Sequence, residues 1–202
     1  MSLFRKLFGH KSDKSENDIK SDERGKYMPE VKLPIDERFT INFKSNGGKF
    51  LYCENIDEVF KAFNNILIEN DWTDSKALLL DANLESQFSS LNISPTKKVN
   101  EATYFLTTCE NLIADDGSIL ISSRQIVEKK LKELPAHFVV FATTSQITES
   151  ISEGLRGIKS KHSKKIPTNI TTIKHFKSIE DKDFLSYGSS SKDLYLLLLE
   201  DL

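Results

Sequence analysis

The chain has 202 residues, 38% of them hydrophobic and 29% charged, and a formal net charge of −2. These figures describe one soluble globular domain with a proper core and room for a tail. They give no bulk reason to expect nucleic acid, whose binding rests on many phosphate contacts by Lys and Arg. Cys53 and Cys109 cannot build a disulfide framework or hold an iron–sulfur cluster, so a reducing cytoplasm is the expected setting. No apolar run is long enough to cross a bilayer, and the opening MSLFRKLFGHK is too short in apolar residues for a secretory signal.

Residues 1–36 are dense in mixed charge and Ser and are interrupted by Pro29 and Pro34. Such a composition buries too little apolar surface to offset the entropy of ordering it, which predicts a flexible charged tail. Within it, Leu3, Phe4, Leu7 and Phe8 would share one face of a short helix. That face suits weak contact with an anionic membrane surface or a partner's groove, and a frayed terminus is the simpler reading.

The domain, residues 37–202, opens with RFTINFKSNGGKFLYCEN. Asn46-Gly47-Gly48 signals a turn and KFLYC a strand. Ile56, Val59, Phe60, Phe63, Ile66 and Leu67 then recur at helical spacing, with Asn55 or Asp57 available as N-cap. KALLLDA reads as a strand covered on both faces and LESQFSSLNI as a short helix. Strand-like runs flank Asp115-Asp116-Gly117-Ser118. SRQIVEKKLKEL predicts a helix stopped at Pro135, and HFVVFAT another buried strand. SQITESISEGLRGIKS predicts a helix with Gly157 near its end, and NITTIKHF and DLYLLLLEDL the last strands. Strands alternating with helices, several uniformly apolar, predict an α/β fold with a mainly parallel sheet flanked by helices. Ligands of such sheets bind beyond the carboxyl ends of the strands, which is where the Asp-Asp-Gly-Ser loop is expected.

LTTCENLIADDGSILIS resembles the core motif of the LUD (lactate-utilisation) domain family. Leu106-Thr107-Thr108-Cys109-Glu110 stands for the family's apolar-Thr-Gly-x-Asp, and Ile113-Ala114-Asp115-Asp116-Gly117-Ser118 for its Ile-Ala-Asp/Glu-Thr-Gly-Ser/Thr. Leu134-Pro135-Ala136-His137 with the following apolar strand, and then Ser145-Gln146-Ile147, match a second motif. The resemblance spans residues 40–202. The chain departs from the pattern at Thr108, Glu110 and Asp116, and the family's Gly-Pro-Ser segment before the last strand is absent from TIKHFKSIEDKDFLSYGSSSKDL.

The resemblance implies a fold like that of ribose-5-phosphate isomerase, glucosamine-6-phosphate deaminase and CoA transferases. It implies an accessory protein of lactate-type organic-acid oxidation that binds a small carboxylate or a phosphorylated ligand, or a partner subunit, an iron–sulfur or other oxidoreductase component. A non-catalytic interaction module on the same fold is the alternative, and a sugar-phosphate or CoA-linked enzyme a third reading. No cofactor is named by any motif.

The candidate site residues follow. Gly117 at positive φ would let a ligand approach the backbone, and Ser118 with its amide would hold an oxyanion, with Asp115 and Asp116 beside them. A hairpin turn explains the same Asp-Gly pair without a ligand. Glu110 is the candidate acid/base group, with Thr107 and Thr108 lining its pocket, although a solvated loop carboxylate is the plainer reading. Cys109 lacks a neighbouring base and reads as a buried apolar residue. His137 reads as structural, without companions at metal-ligand spacing, and no metal site is expected. The basic stretch Arg156–Lys165 would attract a phosphate-bearing ligand, an acidic partner or RNA, or is a solvated linker. Trp72 reads as a cap on the core near the end of the long helix.

Overall fold

In a computed structural model, residues 33–127, 129–163, 165–176 and 192–201 are described. The expected N-terminal amphipathic turn, and much of the segment where the family's Gly-Pro-Ser would fall, lie outside them.

The central feature is a six-stranded, wholly parallel sheet built from β1 (Lys49–Cys53), β2 (Lys76–Leu78), β3 (Ser94–Thr96), β4 (Tyr104–Thr108), β7 (His137–Thr143) and β10 (Asp193–Leu199). Its order is β1-β10-β7-β4-β2-β3, which places the most apolar strands in the middle. Strand periodicity divides their side chains between two cores. Tyr104, Leu106, Val139, Phe141, Tyr195 and Leu197 point to one face. Phe105, Phe138, Val140, Leu194, Leu196 and Leu198 point to the other. This is why these runs are continuously hydrophobic rather than alternating.

The first core is covered by α2 (Ile56–Glu69) and α3 (Ala82–Gln87). Asn55 caps α2 by accepting from the Glu58 amide at 3.0 Å, and Val59, Phe63, Ile66 and Leu67 form its buried stripe. Trp72 follows directly, stacked on Tyr104 with ring centroids 5.1 Å apart, so it does close this core.

The second core is covered by a smaller mixed sheet, β8-β5-β6-β9, comprising β5 (Asn111–Ile113), β6 (Ser118–Ile121), β8 (Ile147–Thr148) and β9 (Thr171–Ile173). Leu112, Ile119 and Ile121 face inward, while Ile113 and Leu120 face outward onto Ile158 of α5 (Ile151–Lys161). α1 (Ile35–Ser45) completes this layer through Phe39 and Phe43, which stack at 5.4 Å.

The structure adds a helix that the sequence reading did not assign, ahead of the expected turn, and differs from the expectations in three further places. The residues RFTINFKS form α1, and Asn46-Gly47-Gly48 is its stop: Gly47 sits at φ 87° and the Gly48 amide returns to the Phe43 carbonyl. The helix expected over 123–134 ends after one turn, α4 (Ser123–Ile126), because Val127 turns to φ 56° and breaks the carbonyl ladder. The helix expected from Ser145 begins at Ile151, the residues before it forming a turn and β8. Finally, β5 and β6 form an antiparallel hairpin in which Ile113 faces Ser118, so the Asp-Asp-Gly loop tips the small sheet and does not leave the rim of the parallel one. Four loop residues with the αL position at Gly117 make this a longer relative of the hairpin turns favoured by Asp-Gly.

Candidate functional site

The Asp115–Ser118 loop is clasped by α1. Asn42 Nδ2 donates to the Ala114 carbonyl at 2.8 Å and the Asp115 carbonyl at 3.2 Å, and Asn46 Nδ2 donates to the Asp116 carbonyl at 2.7 Å. Gly117 has φ 68°, and a Cβ there would fall inside the backbone of Asn42 and Phe43. The close approach that glycine permits is therefore made by a helix. Ser118 is fully buried; its hydroxyl donates to Asp116 Oδ1 at 2.6 Å and its amide donates to the same atom at 3.1 Å. Asp116 also pairs with Lys174 at 3.5 Å, and half-exposed Asp115 with Arg38 at 3.7 Å.

Glu110 lies at the opposite end of the hairpin, where its amide donates to the Leu120 carbonyl. Thr107 and Thr108 close strand β4 one step earlier, the Thr107 hydroxyl donating to the Thr108 carbonyl. The seven sequence candidates are thus divided. Thr107, Thr108 and Glu110 stay with the exit from the parallel sheet, and Asp115, Asp116, Gly117 and Ser118 stay beneath α1.

Around Glu110 the structure assembles residues that sequence reasoning missed. Its side chain is 6% exposed and accepts from Ser122 Oγ at 2.7 Å and Gln125 Nε2 at 3.2 Å. Ser122 caps α4, and its amide donates to Gln125 Oε1 at 2.8 Å in a capping box. On the other side, His162 Nε2 stands 3.6 Å from Glu110 Oε2. Arg124 Nη1 lies 2.7 and 2.8 Å from the two ring nitrogens of His162. His162 arrives from the C-terminal end of α5, and Ser123 holds the returning chain by exchanging backbone and hydroxyl bonds with Thr168.

Of these side chains, Arg124, His162, Ser123 and Thr168 front a cavity of about 450 Å³, with Glu110, Ser122 and Gln125 outside its lining. Arg124, His162 and Lys165 supply a basic wall, Ser123 and Thr168 hydroxyls, and Val127, Ile166 and Pro167 an apolar wall. The Ser122-x-x-Gln125 capping pattern was readable in the sequence, and His162 stood inside the basic stretch singled out there. The pairing of those two segments, nearly forty residues apart, was not encoded in either.

The other candidates take structural places. His137 Nδ1 faces Asp193 Oδ2 at 3.2 Å and its ring lies 5.0 Å from Trp72. Burial pushes the Cys109 thiol far above its ordinary range and Cys53 up to about 11, which keeps both protonated and unreactive. Among the described residues there is no cluster of three or more His, Cys, Asp or Glu able to hold a metal, and no helix long and apolar enough to cross a membrane.

The model of the LUD domain family matches residues 37–199. The chain belongs to the LUD domain family. A solved relative in fold, a DUF162 family protein from Deinococcus radiodurans, superposes with a TM-score of 0.57 at 13% identity, covering 83% of this chain and 96% of the other. No curated protein matches. The parallel sheet with helices on it is therefore the architecture of a LUD domain.

Proposed function

We propose that this LUD-domain protein serves lactate-type organic-acid oxidation as an accessory component, binding a small carboxylate in the cavity fronted by Arg124, His162 and Lys165. The observation that carries the reading is the basic wall of that cavity. A guanidinium presents forked donors suited to a carboxylate, and Arg124 spends only one of its nitrogens on His162. Glu110 stands behind His162 and acts as a positioning residue for the imidazole. The Asp115–Ser118 loop has no part in this site, since two carboxylates would repel the ligand and Ser118 is already bonded.

The reaction itself belongs to a partner oxidoreductase subunit, iron–sulfur or otherwise, because the two cysteines of this chain are buried and free. A cytoplasmic setting accords with those free thiols.

Thermal unfolding with millimolar lactate or pyruvate, against matched chloride, tests the proposal. A bound acid raises the midpoint by mass action. Arg124→Ala is expected to lose the shift. Equal shifts in both proteins, or none in the wild type at tens of millimolar, would overturn it.

A further inference from the structure

The cavity is larger and more apolar than a three-carbon acid requires. Its 450 Å³ lies in the range of pockets that enclose ligands well beyond that size. Val127 and Ile166 line the same cavity and are 49% and 48% exposed, among the few large hydrophobic side chains the described structure leaves in water. Pro167, which is buried, lines it as well. Val127 is held there at φ 56°, ψ −127°, a backbone region that a β-branched residue rarely enters. The strain fixes an isopropyl group on the cavity lining, and strain of this kind collects at ligand clamps.

Charge points the same way. Arg124 and Lys165 put basic side chains on the cavity lining, which holds no carboxylate among its described residues, and Glu110 is packed beside His162. A basic lining of this kind suits an anionic group on the ligand.

We propose that this site selects 2-hydroxy or 2-oxo monocarboxylates bearing an aliphatic chain longer than that of lactate, the carboxylate meeting Arg124 and Lys165 and the chain covering Val127 and Ile166. The inference rests on the carboxylate reading given above and adds the ligand class to it.

Titration calorimetry on the full chain with lactate, 2-hydroxybutanoate, 2-hydroxypentanoate and 2-hydroxyhexanoate tests it, with malate and inorganic phosphate as comparisons. Each added methylene is expected to tighten binding about two- to fourfold until the apolar wall is covered. Malate and phosphate are expected to bind no better than lactate. Ile166→Ser and, separately, Val127→Gly should flatten the dependence on chain length. Binding of lactate with no gain along the series would overturn the chain-length inference and leave the carboxylate site standing. Failure of every acid would overturn both. Tighter binding of malate or phosphate would sink the monocarboxylate assignment alone.

Discussion

Glu110 and His162 approach to 3.6 Å across the seam between the small sheet and the end of α5, and the carboxylate is nearly closed off from water. Ser122 and Gln125 spend their donors on the same carboxylate. Removing it leaves the Gln125 amide without its acceptor, which costs about 1–3 kcal/mol, while the Ser122 hydroxyl still has Gln125 Oε1 at 3.0 Å. Glu110→Ala should therefore lower the urea midpoint clearly, while Glu110→Gln, which keeps an acceptor oxygen, should cost less. Equal unfolding curves for Glu110→Ala and wild type would remove Glu110 from this network.

Gly117 bears on α1 rather than on a ligand. An L-residue at its φ of 68° costs about 1–2 kcal/mol, and the added Cβ displaces the Asn42–Phe43 backbone as well. Gly117→Ala is expected to destabilise the domain and to speed amide exchange along α1 ahead of the parallel strands. Unchanged exchange in α1 would show that the loop and the helix are not coupled.

Val127 gives a prediction of opposite sign. Its left-handed backbone costs about 1–3 kcal/mol, more than the roughly 0.5–1 kcal/mol that glycine loses in chain entropy. Its side chain is half exposed and contributes little burial. Val127→Gly should be as stable as the wild type or about 1 kcal/mol more stable, read as a shift in the denaturant midpoint. A marked loss of stability would show that the isopropyl group packs more than its exposure implies.

Both thiols offer a chemical check on the core. Cys53 and Cys109 are buried and held protonated by that burial. A thiol reagent at pH 8 should leave the native protein unlabelled and react with two equivalents once the chain unfolds. Fast labelling of Cys109 in the native state would mean that the seam beside Glu110 opens.

The parallel sheet was legible because its evidence is local. YFLTT, HFVVFAT and DLYLLLL carry apolar residues at consecutive positions through their middles, the mark of a strand covered on both faces. Helix α2 was legible from its stripe and from Asn55. Helix α1 was hidden because it buries only Phe39, Thr40 and Phe43, too few to set a period, and because its glycine stop resembles a hairpin turn. The 123–134 helix misled for the converse reason: its propensity is good, but the turn at Val127 and the tie between Ser123 and Thr168 override it. Glu110 was singled out from its sequence neighbours, whereas His162 meets it only through packing of α5 on the small sheet. The polar loop that drew notice first binds a helix.

Lys192 supplies a dependence on pH. Its ammonium is buried, donates to the carbonyls of Leu134 at 3.0 Å and Pro135 at 2.9 Å, and lies 5.2 Å from the Phe138 ring. Burial lowers its pKa to about 8 from the ordinary 10.5. Between those values the unfolded chain holds a proton that the folded chain has released, so folding gains stability as pH rises through this window. The gain is complete above 10.5 and is lost as pH falls through about 8. A neutral amine still carries two N–H groups for the two carbonyls, so the bonds survive the titration. Other groups, Cys53 among them, titrate in the opposite sense nearby, so the test is a difference. Wild type minus Lys192→Met stability, from denaturant unfolding at pH 7, 8, 9 and 10, should increase with pH. A flat or falling difference would place the Lys192 ammonium in water.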